Sequence, residues 1–263
     1  MSRDRPRSPW PFLASVLLLT WGLQLPAVLA QRGLIAGPFE RFLPLAMLGT
    51  FGPLLVALGV GMREEGLAGW RVPFRGLRAG GMRTGWALLA LCGLPALHVA
   101  GTAVYALCGG DAGGRWFFPP HNAQQLTALL LVPWAEEPGW RGLALPRLQQ
   151  RHGPIAASLL LGGVWAAWHT MMFLLQGVPP LSFALSWAML AAGSVLATWL
   201  YNRTGGSLWS AVLFHMGAHL DNPFHALPAD QTPFTIYTLA VCAAATAVVA
   251  VDERLGLPRA RFS

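Results

Sequence analysis

The sequence predicts an all-α fold, a polytopic transmembrane bundle of about eight spans, and three observations carry that expectation. Hydrophobic residues make up 54% of the 263 positions and charged residues only 11%, whereas average globular usage puts charged residues at about 25%. The mean hydropathy is +0.49, and the apolar residues come in runs near the roughly 20 helical residues needed to cross a hydrocarbon core. The arginines fall mainly in alternate loops between those runs, as membrane orientation requires.

In order, the runs occupy 11–31, 42–62, 84–108, 123–137, 154–176, 181–201, 206–220 and 233–251. Arg3, Arg5 and Arg7 precede the first, and Ala-Val-Leu-Ala before Gln31 resembles a leader-peptide cleavage site. The 12–30 run is long for a leader and further runs follow at once, so it reads as a retained span. The fourth run is short and carries an acidic pair; the seventh is short and carries histidines. Short spans with polar groups are where membrane proteins bend or line cavities. With no internal repeat and no soluble segment, residues 1–263 read as a single integral membrane domain.

All 18 basic residues are arginine. That bias suggests the codon supply of a GC-rich bacterial genome, and it excludes a lysine base or Schiff base. A net charge of +7 and a pI near 10.6 would suit nucleic acid, but arginines in short loops set topology, so the lipid bilayer and not nucleic acid is the expected partner. Three arginines lie in the N-terminal segment, five in 63–83, three in 141–151 and three after Val251, against Arg32, Arg41 and Arg115 in the intervening loops. This pattern places both termini in the cytoplasm of a bacterial cell, with the protein in the inner membrane and the acidic pair near the cytoplasmic end of its span. Cys92, Cys108 and Cys242 show no paired spacing and read as small core residues.

Of eleven acidic residues, Glu136 and Glu137 alone fall inside a run. A carboxylate at the centre of a span costs about 2.5–3.5 kcal/mol on insertion scales, so two adjacent ones need protein, water or a partner. Glu137 and Arg141 share a helix face, and Pro138 leaves the Trp134 carbonyl without its usual donor, which predicts a bent or broken helix. By contrast, Arg63-Glu64-Glu65 reads as solvated. The fifth run holds Trp165 and His169, and the seventh holds His215 and His219 on one face. His98 reads as a hydrogen-bonded core histidine. Intramembrane ionisable groups in three neighbouring spans default to function. Arg141 holds Glu137 ionised, which leaves Glu136 as the general base for a water that His169 orients. His215 and His219 then donate to the oxyanion of a tetrahedral intermediate.

Glu-Glu-x-x-x-Arg (Glu136, Glu137, Arg141), aromatic-x-x-x-His (Trp165, His169) and a final His215 with a polar residue four later resemble, in this order, the CAAX-protease and bacteriocin-processing family. The resemblance runs from about residue 42 onward, with its core over about 120–222. It implies an eight-helix membrane fold and an intramembrane endopeptidase acting on a peptide or membrane-protein substrate. The family's third motif usually ends in Asn or Asp, where this chain has His219; an imidazole still donates, but in a way that depends on its protonation. Asp221 and Asn222 stand nearby at the wrong spacing to substitute.

Two mechanisms stay open at the sequence level, because the resemblance implies either a glutamate-type peptidase with no metal or a metalloprotease. Glu136, His169, His215 and His219 are the candidate ligands of a divalent metal such as zinc, although His-Glu-x-x-His is absent. A cavity opening to the cytoplasm is expected. The competing reading is an inactive relative acting as a binding or bacteriocin-immunity protein. A proton transporter lacks its inverted repeat, and a serine mechanism on Ser194 is explained as well by small residues at a helix contact.

Overall fold

The computed structural model describes residues 7–80, 82–114, 116–223 and 230–257, and within them the chain is helical with no strand. Among the described residues nine α-helices follow one another: α1 (Trp10–Gln31), α2 (Leu43–Gly49), α3 (Gly52–Glu65), α4 (Thr84–Leu107), α5 (Ala123–Gly139), α6 (Leu145–Leu175), α7 (Pro180–Arg203), α8 (Leu208–Leu220) and α9 (Thr232–Val251). Two 3-10 segments, Phe39–Phe42 and Leu67–Arg78, and a π turn, Trp140–Ala144, complete them. Proline occupies the first turn of α2, α3, α6, α7 and α9, where its missing N–H costs nothing. Asn122 caps α5 by accepting from the Gln125 amide at 2.9 Å, the side-chain cap that such residues supply.

These helices fit a multi-pass membrane protein, but the count of about eight spans is not confirmed. Five helical stretches among the described residues are long and apolar enough to cross, or six if 39–49 and 52–65, bent by 44°, form one span. Two physical reasons account for the shortfall. Helix α8 has 13 residues, about 20 Å at 1.5 Å per residue, and residues 123–175 run on as one stretch. That stretch reverses at Gly153, whose φ of 72° and ψ of 174° are not helical. A straight helix would hold residues 136 and 165 roughly 44 Å apart, yet their side chains are hydrogen-bonded at 2.8 Å. A left-handed φ of this kind is open to glycine and disfavoured for other residues.

Hydrogen bonds and close contacts define two ends of the bundle. At one end Glu64 meets Arg7 and Arg147, Gln149 meets Asn202, and Asn202 meets the Leu255 carbonyl; Gly76 abuts Gly206 there. At the other end Gln31 donates to the Leu175 carbonyl, Asn222 to Phe118, and Tyr105 to Asp230. Two apolar cores fill the space between. One joins α1, α3, the Leu67–Arg78 segment, the π turn and α6 around Phe12, Trp140, Leu148 and Leu161. The other joins α4, α7, α8 and α9 around Leu94, Leu200, Phe214 and Val241. Helix α1 is part of the packing, with Trp168 Nε1 donating to Thr20 Oγ1 at 2.8 Å.

Two expectations change. Glu64 and Glu65 are not simply solvated: Arg147 grips Glu64 with two bonds of 3.0 and 2.8 Å, Arg7 adds a third at 2.7 Å, and Arg75 pairs with Glu65. Arginines from three other segments converge there, which sequence spacing cannot reveal. Cys92 and Cys108 are exposed, so they face outward and are not core, whereas Cys242 is partly buried and packs against the second core. The topological arginines Arg3, Arg5, Arg115, Arg259 and Arg261 lie outside the described residues.

Candidate active site

The acidic pair lies in the last turn of α5, and the helical chain continues beyond it. Helix α5 passes through Pro138 without breaking; the accommodation comes just after, as the π turn in which the Leu145 amide reaches back to the Trp140 carbonyl. A single wide turn of this kind often marks a functional site. Gly142 lies on it, and a Cβ there would stand 2.0 Å from the Pro73 carbonyl oxygen, so only glycine lets the turn pack against the Leu67–Arg78 segment. Glu136, Glu137 and Arg141 are each 1% exposed.

The two carboxylates have different neighbours. Glu137 Oε1 accepts from Arg141 Nη1 at 2.9 Å and from His215 Nδ1 at 2.9 Å. The Arg141 guanidinium also lies 4.8 Å from the centre of the Trp165 ring, a cation–π placement. Glu136 has no basic partner of this kind. Its Oε2 accepts from two indoles, Trp165 Nε1 at 2.8 Å and Trp140 Nε1 at 3.2 Å, which leaves Oε1 as the oxygen not committed to either.

The histidine tautomers follow from their acceptors. His169 Nδ1 lies 2.8 Å from the Trp165 carbonyl, which only accepts, so Nδ1 carries the proton and Nε2 presents a lone pair. His215 Nδ1 likewise donates to the Glu137 carboxylate, leaving Nε2 for chemistry. His219 stacks on His215 with ring centres 5.2 Å apart and planes at 12°.

A cavity of about 400 Å³ brings Glu136, His169, His215 and His219 together on its wall, while Glu137 and Arg141 stand behind it. All six expected residues are thus gathered at one place. Glu136 and His169 stand at matching depth, because Glu136 lies 17 residues before Gly153 and His169 lies 16 after it. The acidic pair lies in the last turn of α5, and the helical path runs on from it through the π turn into α6 as far as Gly153. The cavity also runs away from the Gly153 end, toward Asn122, Gln124, Gln176 and Asn222.

Donation from Nδ1 leaves Nε2 of His169 and of His215 available as ligand atoms, but among the described residues no three His, Cys, Asp or Glu side chains stand together as a ligating group. Ser194 is buried with no hydrogen-bond partner for its hydroxyl, and the start of a side chain on Gly162 would lie 3.0 Å from its Cβ. It is a packing residue of the α6–α7 contact, with no base beside it.

Two features escaped the sequence. The indoles of Trp140 and Trp165 act as donors to Glu136; Trp140 stands four residues after Glu136, a spacing that places both on one face, whereas Trp165 arrives only through the reversal at Gly153. Asp221, counted as a loop acid, is 1% exposed. It accepts from His98 Nδ1 at 2.7 Å and from the Phe118 amide at 2.8 Å, so His98 is the hydrogen-bonded core residue expected.

Comparison with known proteins bears on the same segment. Residues 120–220 match the family of type II CAAX prenyl endopeptidases described as Rce1-like. CAAX prenyl protease 2 of Methanococcus maripaludis is 29% identical over 153 residues, covering 54% of this chain and 55% of the relative. The chain thus spans about half the length of the curated relative it matches. Both findings support the likeness to the CAAX-protease family that the motifs carry.

Proposed function

We propose that this chain, a relative of the CAAX prenyl endopeptidases through its central segment, is an intramembrane endopeptidase that hydrolyses peptide bonds with a water activated by Glu136. The observation that supports it is the division of labour between adjacent carboxylates. Glu137 is tied to Arg141 and His215, whereas Glu136 lines the cavity with its Oε1 uncommitted to the indoles.

The water sits between Glu136 Oε1 and His169 Nε2 and loses a proton to Glu136. Its oxygen bonds to the carbonyl carbon of the substrate, and the carbonyl oxygen becomes an oxyanion. His215, protonated on both nitrogens beside the Glu137 carboxylate, donates from Nε2 to that oxyanion, and His219 stands behind it. Contacts of this type are worth about 2.7–4 kcal/mol. The C–N bond then breaks, and Glu136 returns the proton to the departing amine. No covalent enzyme intermediate forms, and no step passes through a metal. The protein lies in a bacterial inner membrane with both termini in the cytoplasm.

Comparing wild type with Glu136→Gln in detergent, against a peptide library read by mass spectrometry, tests the reading. Removal of a general base lowers rate by about 10²–10⁴-fold. Equal cleavage by both well-folded proteins would sink the mechanism, and a chelator arm that abolishes wild-type cleavage would sink its metal-free form.

A further inference from the structure

We propose that the cavity takes its substrate from the non-cytoplasmic side of the membrane: an uncharged, extended peptide segment belonging to an exported chain or to the outward end of a membrane protein. The word substrate rests on the peptidase reading; the direction of access does not.

The argument begins with the two ends of the bundle. One gathers Arg7, the five arginines of 63–83, Arg147, Arg151, Arg203 and Arg254, whereas the other has Arg32 and Arg41 among the described residues. The contacts that assign segments to these ends are direct. Arg7, Glu64, Arg75 and Arg147 form one ion-pair network, and Arg203 pairs with Asp252 at the same end. An excess of arginine in short loops marks the cytoplasmic side.

The cavity reaches only the opposite end. Asn122, Gln124 and Gln176 line it and are exposed, whereas no described residue of 63–83, 145–153, 203–207 or 252–257 lines it. His169 is seven residues, about 10 Å, from Gln176 and about 24 Å from Gly153 at the arginine-rich turn. The floor beneath Glu136 is closed by Trp140, Arg141 and Leu145, none more than 1% exposed.

The chemistry of the opening narrows the substrate. Five of its polar side chains are carboxamides, Asn122, Gln124, Gln125, Gln176 and Asn222, and the acid beside them, Asp221, is already bonded to His98. Carboxamides donate and accept together, as a peptide backbone does, and offer no charge to pair with. Deeper in, Met172, Phe173, Met189, Leu190 and Phe214 form apolar walls, which suit an apolar side chain beside the scissile bond.

The test is labelling with a membrane-impermeant maleimide. In a background with Cys92, Cys108 and Cys242 replaced by serine, Gln176→Cys marks the mouth and Arg78→Cys the arginine-rich end; neither belongs to the catalytic group. Spheroplasts should label Gln176→Cys and not Arg78→Cys, and inverted vesicles should show the reverse. Arg78→Cys labelled in spheroplasts with Gln176→Cys protected would overturn the proposal. In a second arm, library peptides that the purified protein cuts are added to either vesicle type. Cleavage in spheroplasts alone supports outward access, and cleavage in inverted vesicles alone overturns it. A purified protein that cuts nothing would count against the peptidase reading, while the labelling still decides which side the cavity faces.

Discussion

Among the described residues two buried histidine–carboxylate pairs lie in this bundle, and they are nearly identical at first sight. His215 Nδ1 meets Glu137 at 2.9 Å and His98 Nδ1 meets Asp221 at 2.7 Å, with all four residues at most 5% exposed. Their second partners separate them. Glu137 has Arg141, and the ring of His215 lies on the cavity wall beside Glu136. Asp221 has the Phe118 amide, and His98 packs against the Phe118 and Tyr237 rings. A carboxylate with a cation behind it holds its charge and leaves its histidine available for chemistry. A carboxylate anchored on a backbone amide fastens the chain instead, here joining the end of α8 to the segment before α5. The same pair of residue types is chemistry in one place and a fastener in the other.

The largest effect should come from breaking the first pair. Arg141→Met leaves Glu137 a buried charge with only His215 beside it, and removing one partner of such a pair costs about 3–5 kcal/mol. A large fall in unfolding temperature in detergent, together with lost cleavage, is the expected result; unchanged stability would contradict the pairing. Asp221→Asn attacks the second pair and removes hydrogen bonds to a charged group, each worth about 1.5–3 kcal/mol. Stability should fall while cleavage survives in the remaining folded protein, and a loss of kcat as complete as that of Glu136→Gln would erase the distinction.

Trp165→Phe sharpens the comparison within the site, since it keeps a ring beneath Arg141 and deletes one donor to Glu136. Turnover should drop with KM little altered. Trp140→Phe, which loses the longer 3.2 Å bond, should drop it less, and the double variant should be worse than either. A change in KM alone would point to a substrate contact. Smallest is Arg147→Ala. Its grip on Glu64 has two bonds but lies partly in solvent, with side chains 10% and 21% exposed, so about 1 kcal/mol or less should be lost, with cleavage unchanged.

Much of this was legible from residue order. The membrane class followed from composition, the helices from apolar runs close to their observed lengths, and the six residues that the fold gathers at the cavity from their types and spacing. Glu137–Arg141 was readable because four residues along a helix is a local relation. The span count was harder to read, because a run of apolar residues states length but not whether the helix stops, continues through a π turn or doubles back. Asp221 was misplaced for a related reason: it sits just beyond α8, and only the arrival of His98 from α4 shows that it is buried.

By itself, then, the sequence determined that the chain enters a membrane, which side chains are costly to place there, and which of them share a helix face, since these depend on composition and on relations of a few residues. Only the tertiary structure decided which carboxylate is tied to Arg141 and His215, which one carries two indoles, and toward which end of the bundle the cavity runs. Those outcomes depend on the reversal at Gly153 and on the approach of α8, where groups some thirty to eighty residues apart come within a hydrogen bond of one another.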